Sequence, residues 1–594
     1  MKQRILAISL GAVMSVSVAA VFAGCSQPPK ESYAVTYDLN YTDGGERTVY
    51  MPAGASAIAW KAQREGYDLS GWFTDEACKN AYDFSQKLSR EVTLYAGWTA
   101  KLGNAVVTFD FGFASADPVE LSVEKGTAIA ERYIPERDRM GMIFEGWYTD
   151  EACTEEYDFT QTVPEDMTLY AGYEYDPTFV PRDENGEILY NETQVRVWIQ
   201  PTFTGIVDTF TSLAEAFNEE HEGKINVEIS TDLNDGGQAA YCLRVQQTPG
   251  KNQNDNTYYT VGDVYDMAGI DYSEDDWYAG AARDSYVNGK LTSVPIIAGV
   301  PYFVYNKALV EEYADGKLPQ NYSELLTVLE AAYKGESAEN ADFVPYKSNR
   351  GWQFQEGSST IAFLQNGAEL WTREGNSCVN DWTEDVSRAN AVEGLTNLYA
   401  LCGTNGKAHG AFDSADNTAT MNAVAAGNTM FGYMTFPGNE AAVAGNDALG
   451  FVSASGMFTD HTDELSQQVP VHTIGMAFYK NASYVSNTQL AAAALFTDYV
   501  SDHAYEFSDS GWYPLSRQAA ENDAFTSSEN AVVQLVNAIV EPENMRSYDG
   551  LTRGKSVVND LVSNGCILPA LKGDGTDLAE LIDALCVSVK GSLY

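Results

Sequence analysis

Basic residues are scarce in this chain: 36 Lys and Arg stand against 84 Asp and Glu, a formal net charge of −48 over 594 residues. Such a surface repels nucleic-acid phosphates and anionic headgroups, so nucleic acid is not expected as a partner. Excess acid is instead what a solvated, extracellular surface carries. Histidine is scarcer still, at five, none of them in H-E-x-x-H, and no G-x-S-x-G or Walker-type loop occurs. These gaps argue against zinc proteases, serine hydrolases and nucleotide hydrolases, and no metal or cofactor is expected. A glycosidase needs two placed carboxylates. Among 84 acids some pair always qualifies, so the acids alone are no sign of catalysis and no enzyme is expected. Of eight Cys none forms C-x-x-C, which leaves neither a zinc ribbon nor a redox motif. Cys378 with Cys402 and Cys566 with Cys586 stay open as pairings, against a default of buried free thiols.

The chain does have one long apolar run, Ile5 to Ala23, with Lys2 and Arg4 before it and Gly24-Cys25 after it. Charged start, apolar centre and small residues before a lone Cys resemble a bacterial lipoprotein signal, with Phe22 where that family usually has Leu or a β-branched residue. Taken bare, the run is long enough for a marginal membrane span. The polar Ser-Gln-Pro-Pro-Lys that follows favours cleavage after residue 24 and acylation of Cys25. A diacylglycerol there supplies the two buried chains that stable anchoring takes. The expectation is a mature chain held by lipid on the extracellular face of the cell membrane.

Length predicts three or four folded units, and the 44% hydrophobic content is enough to fold them. An internal repeat marks two of them. Gly71-Trp-Phe-Thr-Asp-Glu-Ala-Cys78 recurs as Gly146-Trp-Tyr-Thr-Asp-Glu-Ala-Cys153, Val35-Thr-Tyr-Asp38 as Val107-Thr-Phe-Asp110, and Thr93-Leu-Tyr-Ala-Gly-Trp98 as Thr168-Leu-Tyr-Ala-Gly-Tyr173. The pattern resembles the Listeria-Bacteroides repeat, also called the internalin B-repeat, over residues 33–98 and 105–173. The resemblance implies small β-grasp-like modules of extracellular bacterial proteins. Trp72, Trp98 and Trp147 are then core aromatics, and Cys78 and Cys153 buried core thiols.

Residues 174–192, rich in Asp, Glu, Pro and Asn, are expected to be a linker, with Asp183 to Glu187 as a turn that lacks the spaced ligands of a calcium loop. From Thr193 the texture alternates. Gln194 to Ile199 and Lys224 to Ser230 are expected as strands around a helix at Ile206 to Glu219, a β-α-β start that predicts a parallel sheet. Polar residues 248–258 are expected as an exposed loop. Further helices are expected at Glu324 to Lys334, Ala389 to Leu401 and Gln489 to Tyr499.

Four ordered segments follow: Val287-Asn-Gly-Lys-Leu-Thr-Ser-Val-Pro295 running into Pro301-Tyr-Phe-Val-Tyr-Asn-Lys307; Leu318-Pro319 to Leu326; Ala425-Ala-Gly-Asn-Thr-Met430 through Gly438; and Ser510-Gly-Trp-Tyr-Pro514. They resemble the sugar-binding family of extracellular solute-binding proteins of ABC transporters, over residues 193–594. The chain departs from that family at Gly262-Asp263-Val264, where Pro-Asp-Val is usual, and at Gly432 to Phe436, where a Trp is common. The resemblance implies an α/β fold of two lobes, with the Val-Pro to Tyr-Asn-Lys strands crossing between lobes as part of a hinge.

Sugars present C–H faces and hydroxyl edges, so a site for them needs aromatic platforms and planar polar side chains. In the first lobe the resemblance places two loops at the cleft, one offering Gln200 and Phe203, the other Asp263, Tyr265 and Asp266. In the second lobe the candidates are Trp352, Gln353, Tyr433, Trp512 and Tyr513. Trp512, between Gly511 and Pro514, reads as a stacking residue on a loop. Trp352 and Tyr433 read equally as cleft or core, and Trp198, Trp277, Trp371 and Trp382 as packing or surface residues, with Trp277 in an acidic helical stretch. The expected function is a monomeric, lipid-anchored receptor that closes on a carbohydrate and hands it to ABC permease subunits, the repeats serving as a stalk. The alternative is a surface adhesion protein whose repeats and lobes bind glycan or cell-wall ligands. A glycan-acting enzyme is the third and weakest reading.

Overall fold

The computed structural model describes residues 32–592 apart from 42–43, 65, 101–102, 114–115, 201–203, 233–240, 248–256, 288, 350–357, 369–371, 375–376, 380–384, 414–415, 436, 481–484 and 548–565. The proposed signal and Cys25 lie outside the described residues, as do Phe203, Trp352, Gln353, Trp371 and Trp382. No helix among the described residues is long and apolar enough to cross a membrane.

Two compact units are present. One holds the chain up to Thr108 with Glu120–Ile134 and Asp158–Thr168; the other holds Phe109–Val119, Pro135–Tyr157 and Leu169 onward. The first module has strands β1 (Ser32–Asp38), β2 (Glu46–Pro52), β3 (Tyr67–Phe73) and β4 (Val92–Ala100), in the order β2-β1-β4-β3. β1 runs parallel to β4 and antiparallel to β2. The second module repeats the arrangement with β5 (Asn104–Asp110), β6 (Val119–Glu124), β7 (Met142–Tyr148) and β8 (Met167–Tyr175).

The repeated residues have separate physical jobs. Val35, Tyr37, Trp72, Leu94 and Ala96 are buried, and the Trp72 indole donates to the Trp60 carbonyl at 2.8 Å. Trp147 is 2% exposed and donates to Pro135 O at 3.0 Å. Trp98, only partly buried, packs against that core and donates to Leu39 O at 2.7 Å. In Thr-Asp-Glu-Ala-Cys the aspartate closes a turn. Asp75 accepts from the amides of Lys79 and Asn80 at 3.0 and 2.8 Å, and Asp150 from those of Thr154 and Glu155 at 3.0 and 2.8 Å. These bonds hold both carboxyls below the usual range. Cys78 and Cys153 take left-handed φ of 54° and 51° in those turns, half-buried rather than in the core expected of them. Both are free thiols, as are Cys402, Cys566 and Cys586.

Residues 174–192 are not a loose linker. Val180 is 2% exposed and belongs to a buried cluster with Val195, Val197, Phe210 and Phe478, and Phe179, Ile188 and Tyr190 pack against it. Asp183 to Glu187 is the expected turn, Asp183 N donating to Glu187 O at 2.8 Å. The polar composition is satisfied by this hairpin while its apolar minority docks.

The rest is α/β in two lobes. One sheet runs Ile225–Ser230, Thr193–Ile199, Leu243–Gln247, Val469–Phe478, Val294–Gly299, Tyr513–Pro514; the other runs Ala411–Asp413, Tyr346–Asn349, Phe431–Met434, Tyr302–Asn306, Leu449–Ser453. Each has its own buried cluster. Thr204–Glu220 and Asn487–Asp502 pack on the first sheet, and Tyr322–Glu336 and Asp385–Cys402 belong to the second lobe; these four helices contain the expected spans. The stretch before Trp277 is a 3-10 turn, Glu274–Asp276, rather than a helix, and Trp277 itself is 3% exposed. Between the sheets the chain crosses at Val300-Pro301, the expected hinge, and again between Ser453 and Val469. Asn306 ends the crossing strand and caps the helix Lys307–Ala314, accepting from Leu309 N at 3.1 Å and donating to Val424 O at 2.9 Å.

Candidate functional site

Ligands of open α/β sheets bind beyond the carboxyl ends of the parallel strands. In the first lobe three parallel strands end at Ile199, Ser230 and Gln247. Register carries that edge across the sheet: Gln247 faces Ile474, His472 faces Gly299, and Ala298 faces Tyr513. In the second lobe three parallel strands end at Asp413, Asn349 and Met434, and Tyr302 faces Met434. Only Val300 and Pro301 separate Gly299 from Tyr302, so the two carboxyl edges meet at this crossing.

Where the two edges meet, residues of both lobes pack together. Pro437, from the loop after Phe431–Met434, lies so near Gly299 that a Cβ there would be 2.9 Å from Pro437 Cδ and 3.4 Å from Trp512 Cζ3. Glu440, 3% exposed, begins a short second-lobe helix. Its carboxylate accepts from the amides of Gly438 at 2.5 Å and Asn439 at 3.0 Å, and from the Tyr302 hydroxyl at 3.4 Å. Burial raises the Glu440 carboxyl above its ordinary range, against those amides, which lower it. Burial and the nearby carboxylate push the Tyr302 hydroxyl well above its own.

The sequence candidates divide. Gln200 is half-buried at the edge, its backbone N–H donating to Val245 O at 3.2 Å. Trp512, expected in the second lobe, is 8% exposed and belongs to the first lobe's buried cluster, its ring 6.2 Å from His472. Tyr513 and Tyr433 are core residues: Tyr513 packs edge-on to Phe525 at 5.3 Å, and Tyr433 to Phe303 at 5.6 Å. Every residue of Phe431–Met434 and of Tyr513–Pro514 is buried, so either face of these strands packs inside.

Asp263, Tyr265 and Asp266 are not cleft residues. They lie on the helix Val261–Ala268, capped by Thr260, whose side chain accepts from Asp263 N at 3.1 Å. That helix starts where Tyr259 N donates to Phe478 O, beside the opposite edge of the sheet. Tyr265 is 1% exposed against Tyr272 and Phe478, and Asp266 is bound by Arg139. The Gly-Asp-Val segment is taken up by the helix instead of forming a strand-end loop. Glu440, Tyr302 and His472 escaped the sequence reading; the signal for Glu440 was an acid directly after Gly438-Asn439 at a helix start. No cluster of three His, Cys, Asp or Glu side chains able to hold a metal occurs among the described residues.

Comparison with known proteins bears on each part. Residues 33–97 and 106–172 match the Listeria-Bacteroides repeat domain. Two proteins of Evansella cellulosilytica, provisionally named a membrane protein and a Gly-rich membrane protein, are 35% and 39% identical over 151 and 159 residues. Those matches span 24% and 26% of this chain, and only 22% and 18% of the relatives. Among solved structures, the sugar-binding protein MalE from Xanthomonas citri superposes with a TM-score of 0.52 at 13% identity, over 68% of this chain and 97% of that one. A family 1 extracellular solute-binding protein from Bifidobacterium longum subsp. infantis gives 0.48 at 14%, over 68% and 100%. At 13% identity the likeness to the Xanthomonas citri structure establishes the fold alone: two Listeria-Bacteroides repeats precede a two-lobed, MalE-like body.

Proposed function

We propose that this chain is a receptor that captures a carbohydrate between its two lobes by hinged closure. The observation that supports the reading is the meeting of two carboxyl-edge surfaces at Val300-Pro301, where Pro437 of the second lobe and Trp512 of the first both lie against Gly299. An indole offers a flat apolar face to the C–H face of a sugar ring. Gln200 supplies a planar polar group at the first-lobe rim, and Phe203, Trp352 and Gln353 are further proposed contacts. Closure requires that the solute gain contacts from both lobes that it lacks in the open state.

The finer reading adds anchoring through Cys25 on the extracellular face and delivery of the solute to an ABC permease as a monomer. What supports it is the apolar run ending in Gly24-Cys25 and the MalE-like fold. Tethering would keep the receptor concentrated near its permease.

A thermal-shift screen of the chain against mono-, di- and oligosaccharides tests this, because a ligand that binds only the folded state raises its midpoint. The expected result is a selective shift for one sugar class, weakened by Trp512→Phe and lost in Trp512→Leu, each read against that variant's own unliganded midpoint, which loss of the buried indole lowers. No shift across the panel would favour adhesion or a non-sugar solute.

A further inference from the structure

The end of the second module is fastened to the first lobe at the C-terminal turn of the helix Val261–Ala268. Arg139, in the turn before β7, lies over the rings of Phe113 and Tyr173 at 4.9 and 5.4 Å. It grips Asp266 with two nitrogens, Nε at 3.2 Å and Nη2 at 2.9 Å, with the side chains 18% and 13% exposed. Arg182 lies 3.5 Å from the Tyr175 ring centroid and donates from Nη2 to Met267 O at 2.7 Å. Two cations thus meet the negative end of one helix. Gly141, at φ 72°, faces Met267 so closely that a Cβ would be 2.9 Å from its Cγ. Met140, Phe179, Ile188 and Tyr190 pack on the first-lobe core, and Asn487 Nδ2 donates to Phe179 O at 3.1 Å.

The first module holds the same corner without this use. Arg64 occupies the matching turn, Tyr67 N donating to Arg64 O at 3.1 Å as Met142 N does to Arg139 O at 3.0 Å. It lies over Tyr41 and Tyr67 at 4.4 and 3.8 Å. Gly66, the counterpart of Gly141, has nothing within 4 Å of a would-be Cβ. The aromatic seat for the arginine therefore belongs to the module, and the grip on Asp266 is an addition specific to the second copy.

We infer that the Arg139 corner of the second module, residues 174–192 and the first lobe form one rigid body, with Arg139–Asp266 and Arg182–Met267 as its fasteners. On the receptor reading above, the first lobe is then the one held by the module, and closure is a movement of the second lobe. The fastening itself does not depend on that reading.

Hydrogen exchange measured by mass spectrometry on the full chain, without any solute, tests it. Arg139→Asp is expected to speed exchange in residues 176–190 and 261–268 at least about tenfold, and Asp266→Arg to do the same. The double variant, which restores opposite charges, recovers part of the protection, and Arg64→Asp leaves both segments at wild-type rates. If Arg139→Asp fails to fold, Arg139→Gln is expected to give a smaller change in the same segments. Wild-type rates in the folded Arg139 variants, an equal effect from Arg64→Asp, or no recovery in the double variant would overturn the inference. A failed sugar screen with this result intact would remove the carbohydrate reading and keep the rigid body.

Discussion

The carboxylate of Glu440 rests against Gly511 across the lobe boundary: a Cβ on Gly511 would lie 2.5 Å from Glu440 Oε2. Gly511 is also left-handed, at φ 90°. Gly511→Ala therefore carries a backbone cost of about 1–2 kcal/mol and forces the carboxylate away. The expected outcome is a midpoint lowered by several degrees and a changed lobe separation, read by calorimetry and small-angle scattering. An alanine variant with both unchanged would show that the seat is not tight.

Asp498 gives a pH signature. Burial first, then Asp502 and Asp276, raise its carboxyl to about 6. A raised acid is held protonated by the fold, so below the unfolded value near 4 it costs nothing. The penalty grows as pH rises towards 6 and is constant above. Asp498→Asn should thus gain about 1 kcal/mol at pH 7.5, after allowing for solvent screening, and nothing at pH 4. Denaturant melts of both proteins at the two pH values check this; equal differences at both would contradict it.

Asn306→Ala should cost about 2–3 kcal/mol, since it removes a cap and leaves the buried Val424 carbonyl without that donor. Urea unfolding measures it. Asn306→Asp keeps the cap and loses the donor, and should fall between wild type and alanine.

Cys242 and Cys566 are buried, and burial pushes both thiols up to about 12. Neither should alkylate with iodoacetamide in the native chain at pH 8, where thiolate is the reactive form. Peptide mapping after brief labelling reads this, and rapid labelling of either would place it at the surface.

The sequence carried most of the architecture because its signals were local or periodic. The repeat and the strand Thr193–Ile199 follow from a few neighbouring residues, while the Val300-Pro301 crossing came from the resemblance to two-lobed solute-binding proteins. The site was harder to see. Asp263, Tyr265 and Asp266 have the polar-aromatic texture of a binding loop, yet Thr260 caps them into a helix whose partner is Arg139, 127 positions away. Tyr433 and Tyr513 look like platforms, yet each lies on a strand covered on both faces, which only the packing of distant elements decides. Glu440 acquires meaning only when Gly511 is brought against it.

The most direct test of the account is small-angle scattering of the full chain with and without the sugar that gives the largest thermal shift. Hinged capture predicts a smaller radius of gyration on saturation, a change absent in Trp512→Leu at the same sugar concentration. A sugar that raises the midpoint while leaving the scattering curve unchanged would contradict closure of the two lobes.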